Sequence, residues 1–423
     1  MPWVGRPFGQ ILAQKGAVGD KYLVTIDFVA PRTALSPRWA LANWRSNPLE
    51  TGGPEFAGDA PLTVRGQLDV FDGSSWKSQK LVFPHGADSA TVNTGCTVWA
   101  EYPGAVGGGA QCRLVLWVDP GATGTVPLSG AVMATDPGVG HSRGPSITQP
   151  TWGQPVAARP QAAESTFVPI ACVAQPAARL PVVGLLGDSI TMGIGDLPAG
   201  FGYAVRALDA AGIPWLSLAV GGDFLVDWHL LPVGLRRCQQ IAGCDWLLEA
   251  WGTNNLGLLA GFGSTDPSPI MDTKVRLWRS LAKTGAGVVS VTQVPVRNSD
   301  PTAQARLNQL RNTLVAWQRD GAPWDVGSGA AVPAGSQGST VSRCRVLNPD
   351  GSIRQSPSGP QHPLAAMFDT AATVEDPTVD GGNQWRAGMN ADTVHPSTAG
   401  HQAMAQAVRV EVLRQRPPIY GGP

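Results

Sequence analysis

The feature that most constrains this chain is a change of texture near residue 176. Before it, between residues 21 and 136, short apolar stretches at 22–29, 62–71, 80–83, 97–101, 113–118 and 125–133 are separated by Gly, Pro, Asp and Ser. Val, Thr and aromatic residues recur in them with partial alternation, as half-buried antiparallel strands require. No helical period of comparable length competes, so residues 1–136 are expected to form an all-β sandwich or jelly-roll module. Residues 137–175 carry repeated Pro and Gly with little apolar content, which reads as a linker or a long ordered crossover. From 176 to 423 strands at 182–186, 214–220, 245–251 and 287–294, with a weaker fifth at 364–368, alternate with helical periods near 200–211, 272–283, 303–319 and 398–415. Pro301 stands at a first-turn position of the third helix. Such alternation predicts an α/β domain with a five-stranded parallel sheet covered on both faces. The Gly/Ser/Pro-rich stretch 325–363 is expected to be a surface excursion, and no internal repeat is visible.

Composition narrows the function classes. Thirty-one Lys and Arg balance 31 Asp and Glu, which argues against a general nucleic-acid binder, since such proteins need excess cations to displace counterions. No apolar run approaches the ~18 residues that a membrane-spanning helix needs. Residues 1–7 lack a basic segment followed by an apolar one, so no secretory signal is visible, and a cytoplasmic or virion-associated location is expected over secretion. The six cysteines (Cys96, Cys112, Cys172, Cys238, Cys244, Cys344) contain no Cys-x-x-Cys pair, so a zinc ribbon or thioredoxin-like site is not expected, and their pairing stays open. Oligomeric state is likewise open.

In an open parallel sheet, ligands bind at the carboxyl ends of the strands. The first strand runs into Gly187-Asp188-Ser189-Ile190-Thr191, which would turn the Ser189 hydroxyl into that crevice beside backbone N–H groups able to hold an oxyanion. The second ends in Gly221-Gly222-Asp223, where a glycine N–H can approach a substrate without an intervening Cβ. The third ends in Gly252-Thr253-Asn254-Asn255, whose side chains offer a neutral amide donor. Near the C-terminus stands Asp392-Thr393-Val394-His395-Pro396. A carboxylate three residues before an imidazole can reach back within one turn, fix the ring tautomer and stabilise the imidazolium.

Taken together, these residues resemble the SGNH (GDSL-type) esterases and lipases over about 180–415. That family carries a Ser in Gly-Asp-Ser, then a Gly, an Asn in Gly-x-Asn-Asp and an Asp-x-x-His pair, which here fall on Ser189, Gly222, Asn254 and Asp392/His395. The chain departs from the pattern at Asn255, where Asp is usual, and at Ser217, where Asn often precedes the second-block glycines. The resemblance implies a three-layer α/β/α domain over 176–423 and a serine ester hydrolase. Ser189, His395 and Asp392 would be catalytic; the N–H groups of Ser189 and Gly222 and the Asn254 amide would form the oxyanion hole. No cofactor or metal is implied. Asp188, Asp223, Asn255, Trp251 and Trp385 stand close enough in sequence to line a substrate groove. The β-module and the 15 Trp favour a carbohydrate O-acetyl or other short-acyl esterase, with an acylated polysaccharide or a small ester as partner. Two other readings stay open: a lipase on longer chains, and a phage-tail or glycan-binding structural protein that carries such a domain.

Each residue has a blander explanation. Ser189 could cap a helix, Asn254 and Asn255 could favour a left-handed turn, and Asp392–His395 could be a surface pair. His401 and His229 are the nearest rivals for the base; His401 is expected on a solvated face of the last helix, and His229 in a structural role, although it could border the crevice. Gly140-His141-Ser142-Arg143-Gly144 fits the Gly-x-Ser-x-Gly nucleophile elbow, but that motif needs a strand before it and a helix after it. Flanking prolines at 137 and 145 argue against both. The Gly runs at 107–109 and 193–195 lack the following Lys-Ser/Thr of a phosphate loop.

Overall fold

The computed structural model describes residues 12–30, 33–46, 55–129, 139–160, 167–176, 180–197, 202–225, 241, 243–379 and 382–417. The chain separates into two compact units, one of residues 1–180 with 198–200 and 214–220, the other of residues 181–197, 201–213 and 221–423.

The first unit is all-β. Gln111–Asp119 is central in a six-stranded sheet, antiparallel to Lys21–Val29 on one side and Leu62–Phe71 on the other, with Val139–Gly144, Trp76–Lys80 and Ala90–Val92 completing it. A four-stranded sheet surrounds Ala34–Ala42, which pairs with Thr97–Glu101, Ala105–Val106 and Ala171–Pro176. Ala34–Ala42 is the longest strand that sequence patterning misses; Pro37 interrupts it, and Ser36 adopts a positive φ of 45°. The expected strand at 80–83 is shifted: Trp76–Lys80 forms the strand, and Val82 and Phe83 make only isolated bridges. Of the 125–133 stretch, Pro127–Ser129 is a strand, and 130–133 lie outside the described residues.

The Pro/Gly-rich stretch read as a linker carries the two strands Val139–Gly144 and Ala171–Pro176. Between them, the chain packs Val156, Ile147 and Trp152 on Leu23, Val115 and Trp117 of the six-stranded sheet. Polar side chains of the sheet fix it there: Gln67 Oε1 accepts from Gly153 N at 2.9 Å, Asp69 Oδ2 accepts from Val156 N at 3.0 Å, and Arg113 Nη1 donates to Val156 O at 2.7 Å. Low apolar content misleads here because backbone groups, more than side chains, make the attachment.

Residues 181–423 carry the strands β1 (Val183–Leu186), β2 (Trp215–Ser217), β3 (Trp246–Glu249), β4 (Gly287–Val291), β5 (Val346–Leu347), β6 (Ile353–Gln355) and β7 (Ala366–Phe368). They form one seven-stranded sheet in the order β2-β1-β3-β4-β7-β5-β6. The neighbours β1/β3, β3/β4, β4/β7 and β7/β5 run parallel, and β5/β6 antiparallel. The expectation of five parallel strands is thus corrected to a larger, mixed sheet. The two additional strands, β5 and β6, come from the stretch 325–363 read as a surface excursion. They are too short, at two and three residues, to show a period in the sequence. Strands β1, β3 and β4 are buried at every position, as continuous apolar runs covered on both faces should be.

The helices are α1 (Ser189–Met192), α2 (Gly202–Ala210), α3 (Thr253–Gly261), α4 (Ser268–Ala282), α5 (Pro301–Arg319), α6 (Thr398–Ala407) and α7 (Val410–Leu413). Helix α2 packs on α6, and α3 packs on α5. Asp300 caps α5 by accepting from Thr302 N at 2.8 Å, with Pro301 in the first turn as expected. The helical period read over 398–415 breaks at Val408 into α6 and α7. Helix α3 went unread because Asn and Gly dominate its start. Cys96, Cys112, Cys172, Cys244 and Cys344 are free thiols, and Cys238 lies outside the described residues. Among the described residues no helix is long and apolar enough to cross a membrane.

Candidate active site

Strand β1 ends at Leu186, and the chain turns at once into α1. Asp188 caps that helix: its Oδ1 accepts from Ile190 N at 3.0 Å. Ser189 is therefore the first helical residue, with an N–H that has no intrahelical acceptor. The residue is 7% exposed. The turn after α1 passes so close to the segment carrying His395 that Gly195 is required. It has φ +89°, and a Cβ there would lie 2.2 Å from Pro396 O and 3.3 Å from His395 Cβ.

The second segment is a closed loop before α6. Ala391 N donates to His395 O, Ser397 N donates to Met389 O, and Asn390 bridges to Pro396. Ser397 then caps α6 by accepting from Gly400 N at 3.2 Å. Within this loop Asp392 Oδ1 accepts from the N–H groups of Val394 and His395, each at 2.7 Å, and Oδ2 meets His395 Nδ1 at 2.7 Å. Burial works against the Asp392 charge, but the bonds from the His395 ring and the two backbone N–H groups outweigh it and hold its carboxyl below the usual range. With the Nδ1 proton facing Asp392, Nε2 is the acceptor for the Ser189 hydroxyl, 2.9 Å away. Hydroxyl, imidazole and carboxylate, 206 and three residues apart in pairs, form one continuous hydrogen-bonded line.

The other expected residues lie in the loop after β2, at the start of α3 and in a short hairpin. Gly222, in the loop after β2, has φ +78°. Asn254, in the first turn of α3, donates from Nδ2 to Asp223 O at 2.9 Å, and Asn255 Oδ1 accepts from Leu225 N at 3.0 Å. The asparagine pair thus laces α3 to the segment following Gly222 and does not occupy a left-handed turn. A carboxylate at 255 could accept the same bond, so Asn in place of Asp leaves this contact possible. Asp188, Asp223, Asn255, Trp251 and Trp385 are all buried. Trp251 is fully so, and its Nε1 donates to Asp223 Oδ2 at 3.2 Å, which makes it a prop for the loop. Trp385 pairs with Glu375 in a short hairpin. Beneath the site, Glu249 is held by Lys274 (2.7 and 3.0 Å), Trp278 Nε1 (2.8 Å), Ser290 Oγ (2.8 Å) and Trp251 N (2.8 Å).

His401 corrects its sequence reading. It is fully buried in α6, its Nε2 lies 3.0 Å from Ile194 O, and its ring stacks on Tyr203. Burial holds its pKa below the usual imidazole value, so it fastens the turn after α1 as a neutral ring. The signal was present: His401 shares helical spacing with the buried Met404 and Val408. His229 lies outside the described residues. Sequence reading also missed Gln293, which donates from Nε2 to Trp251 O and fills the space beside Gly252, where a Cβ would meet its amide at 3.0–3.2 Å. A hollow of about 510 Å³ lined by Trp246, Arg343, Arg345 and His362 opens at the amino ends of the strands, and no member of the hydroxyl–imidazole–carboxylate line borders it.

The sequence matches no family model and no curated protein. Among solved structures it is similar to a carbohydrate esterase family 2 enzyme plus carbohydrate-binding domain from Corynascus thermopiles (Myceliophthora fergusii), with 14% identity, 96% of this chain and 97% of that one covered, and a TM-score of 0.37. It is similar to the salicylyl-acyltransferase SsfX3 of a tetracycline biosynthetic pathway at 15% identity, over 93% of this chain and 82% of that one, with a TM-score of 0.33. A member of the lipolytic G-D-S-L family from Veillonella parvula matches at 16% identity over 55% of this chain and 98% of that one, with a TM-score of 0.34. Identities and TM-scores of this size assign neither a family nor an activity.

Proposed function

We propose that the chain is a serine ester hydrolase, with residues 176–423 as a three-layer SGNH-type domain and Ser189, His395 and Asp392 as its catalytic residues. The observation that carries this reading is the hydrogen-bonded line from Asp392 through His395 to the Ser189 hydroxyl, at 2.7 and 2.9 Å. His395 Nε2 takes the hydroxyl proton as Ser189 Oγ attacks an ester carbonyl. The oxyanion of the tetrahedral intermediate is held by the N–H groups of Ser189 and Gly222 and by the Asn254 amide. Collapse expels the alcohol, which leaves with the proton from His395, and water releases the acyl group by the same steps in reverse. The ionised Asp392 keeps the ring oriented and stabilises the imidazolium.

A short-acyl ester, a carbohydrate O-acetyl group among them, is the proposed substrate class, supported by the pairing of a β-rich unit with the hydrolase unit. The Trp content no longer adds to this, since among the described residues seven Trp, including Trp39, Trp215 and Trp278, are fully buried core residues. Turnover of p-nitrophenyl acetate by the wild type and by Ser189→Ala tests the reading: a loss of about 10⁴-fold or more is expected, and equal rates overturn it. Acetylated xylan, acetylated peptidoglycan and fatty-acyl esters compared side by side then sort the acyl donor.

A further inference from the structure

Two carboxyl groups lie buried beneath the hydroxyl–imidazole line, and they are treated very differently. Glu249 has donors at both oxygens: Lys274 and Trp251 N at Oε1, and Lys274, Trp278 and Ser290 at Oε2. Asp188 is fully buried too, yet only its Oδ1 is met, by Ile190 N; Oδ2 is buried with no hydrogen-bond partner among the described residues. An ionised carboxylate with one oxygen bare in a fully buried position is costly, and such a group neutralises instead. The ionisable groups that face it are Asp223 from the loop after β2, Glu249 from the end of β3, Lys274 from α4 and Tyr203 from α2, with His395 reached through the adjacent Ser189. Lys274, the cation among them, is already engaged by Glu249.

We propose that Asp188 is a positioning residue that works as a neutral carboxylic acid, and that its ionisation lowers the rate of the hydrolase. This rests on the ester hydrolase reading. The protonated acid still accepts from Ile190 N and so still sets the turn that presents Ser189. It adds no negative charge next to the Ser189 N–H, where the substrate oxyanion must form. Once ionised, Asp188 opposes that oxyanion across low-dielectric surroundings. Burial first, with Asp223 adding to it, pushes the Asp188 pKa up to about 7, so the change falls near neutral pH. The rate should therefore fall as the pH rises through neutral and Asp188 loses its proton.

The pH profile of kcat/KM for p-nitrophenyl acetate, measured on the whole chain as wild type, Asp188→Asn and Asp188→Ala, tests this. The wild type should lose activity on the alkaline side with a slope approaching tenfold per pH unit. Asp188→Asn, which can cap α1 without a charge, should retain the acid-side rate and show no alkaline fall. Asp188→Ala should run about tenfold below Asp188→Asn at every pH because the cap is gone. Superimposable wild-type and Asp188→Asn profiles overturn the proposal. Difference infrared spectra read the same proton without turnover: the wild type should show a protonated carboxyl band near neutral pH that Asp188→Asn lacks, and a carboxyl that titrates only in the ordinary acidic range also overturns it. A wild type with no turnover at any pH overturns the hydrolase reading, and the infrared band then decides the protonation of Asp188 by itself.

Discussion

The two units each carry a serine in a glycine-flanked motif, and only one of them is placed for chemistry. Ser142 sits in Gly140-His141-Ser142-Arg143-Gly144, which fits the nucleophile-elbow pattern better than Gly187-Asp188-Ser189 does. In the structure Val139–Gly144 is a strand, with Ser142 opposite Leu23 in an antiparallel ladder and a turn, not a helix, following it. A strand does run through this motif, but the helix that an elbow needs after it is missing. Ser189 follows the last residue of a parallel strand by three positions and opens a helix. A strand interior commits the backbone N–H and C=O groups around the serine to a neighbour. A strand end that starts a helix leaves N–H groups without partners, and an oxyanion needs those.

Substitutions along the Ser189 line sharpen that contrast. After Ser189→Ala, the largest effect is expected from Asp392→Asn, at about 10³-fold in kcat, because the ring loses its tautomer control and the counter-charge for imidazolium. The Asp392 side chain is 54% exposed, so solvent can take over part of its role, and the loss should stay below that of Ser189→Ala. A loss equal to that of Ser189→Ala would show that solvent gives no such relief. Asn254→Ala comes next, at roughly 10²-fold. A loss in kcat with KM unchanged marks the side-chain amide as a donor used in the transition state. A rise in KM alone would instead reduce Asn254 to the anchor for Asp223 O that the structure shows.

The candidate site was more legible in the sequence than the fold around it, for a physical reason. Ser189, Asp392 and His395 are fixed by short-range rules: a glycine-led turn at a strand end, and a carboxylate one turn before an imidazole. The short strands β5 and β6 and the strand Ala34–Ala42 obey no such local rule. Partners distant in sequence stabilise them, Met367 and Phe368 for β5 and Val98 to Glu101 for Ala34–Ala42. A window of residues cannot display that. The same holds for His401 and Gln293, whose importance lies in Ile194 O and Trp251 O, far away in the chain. The stretch 145–160 failed for the complementary reason, since its attachment runs through backbone groups that any sequence supplies.

The smallest expected effect is also the one that can break the comparison. Ser142→Ala should leave p-nitrophenyl acetate turnover within about twofold of the wild type, because a half-buried strand residue with no helix after it has neither an activated hydroxyl nor an oxyanion site. The strand should also tolerate the change, since side-chain truncation leaves its backbone ladder with Lys21–Val29 untouched. A large loss of turnover with unchanged thermal unfolding would mean that the elbow-like motif of the first unit takes part in catalysis. Placement at the end of a parallel strand would then cease to be the property that separates the two serines.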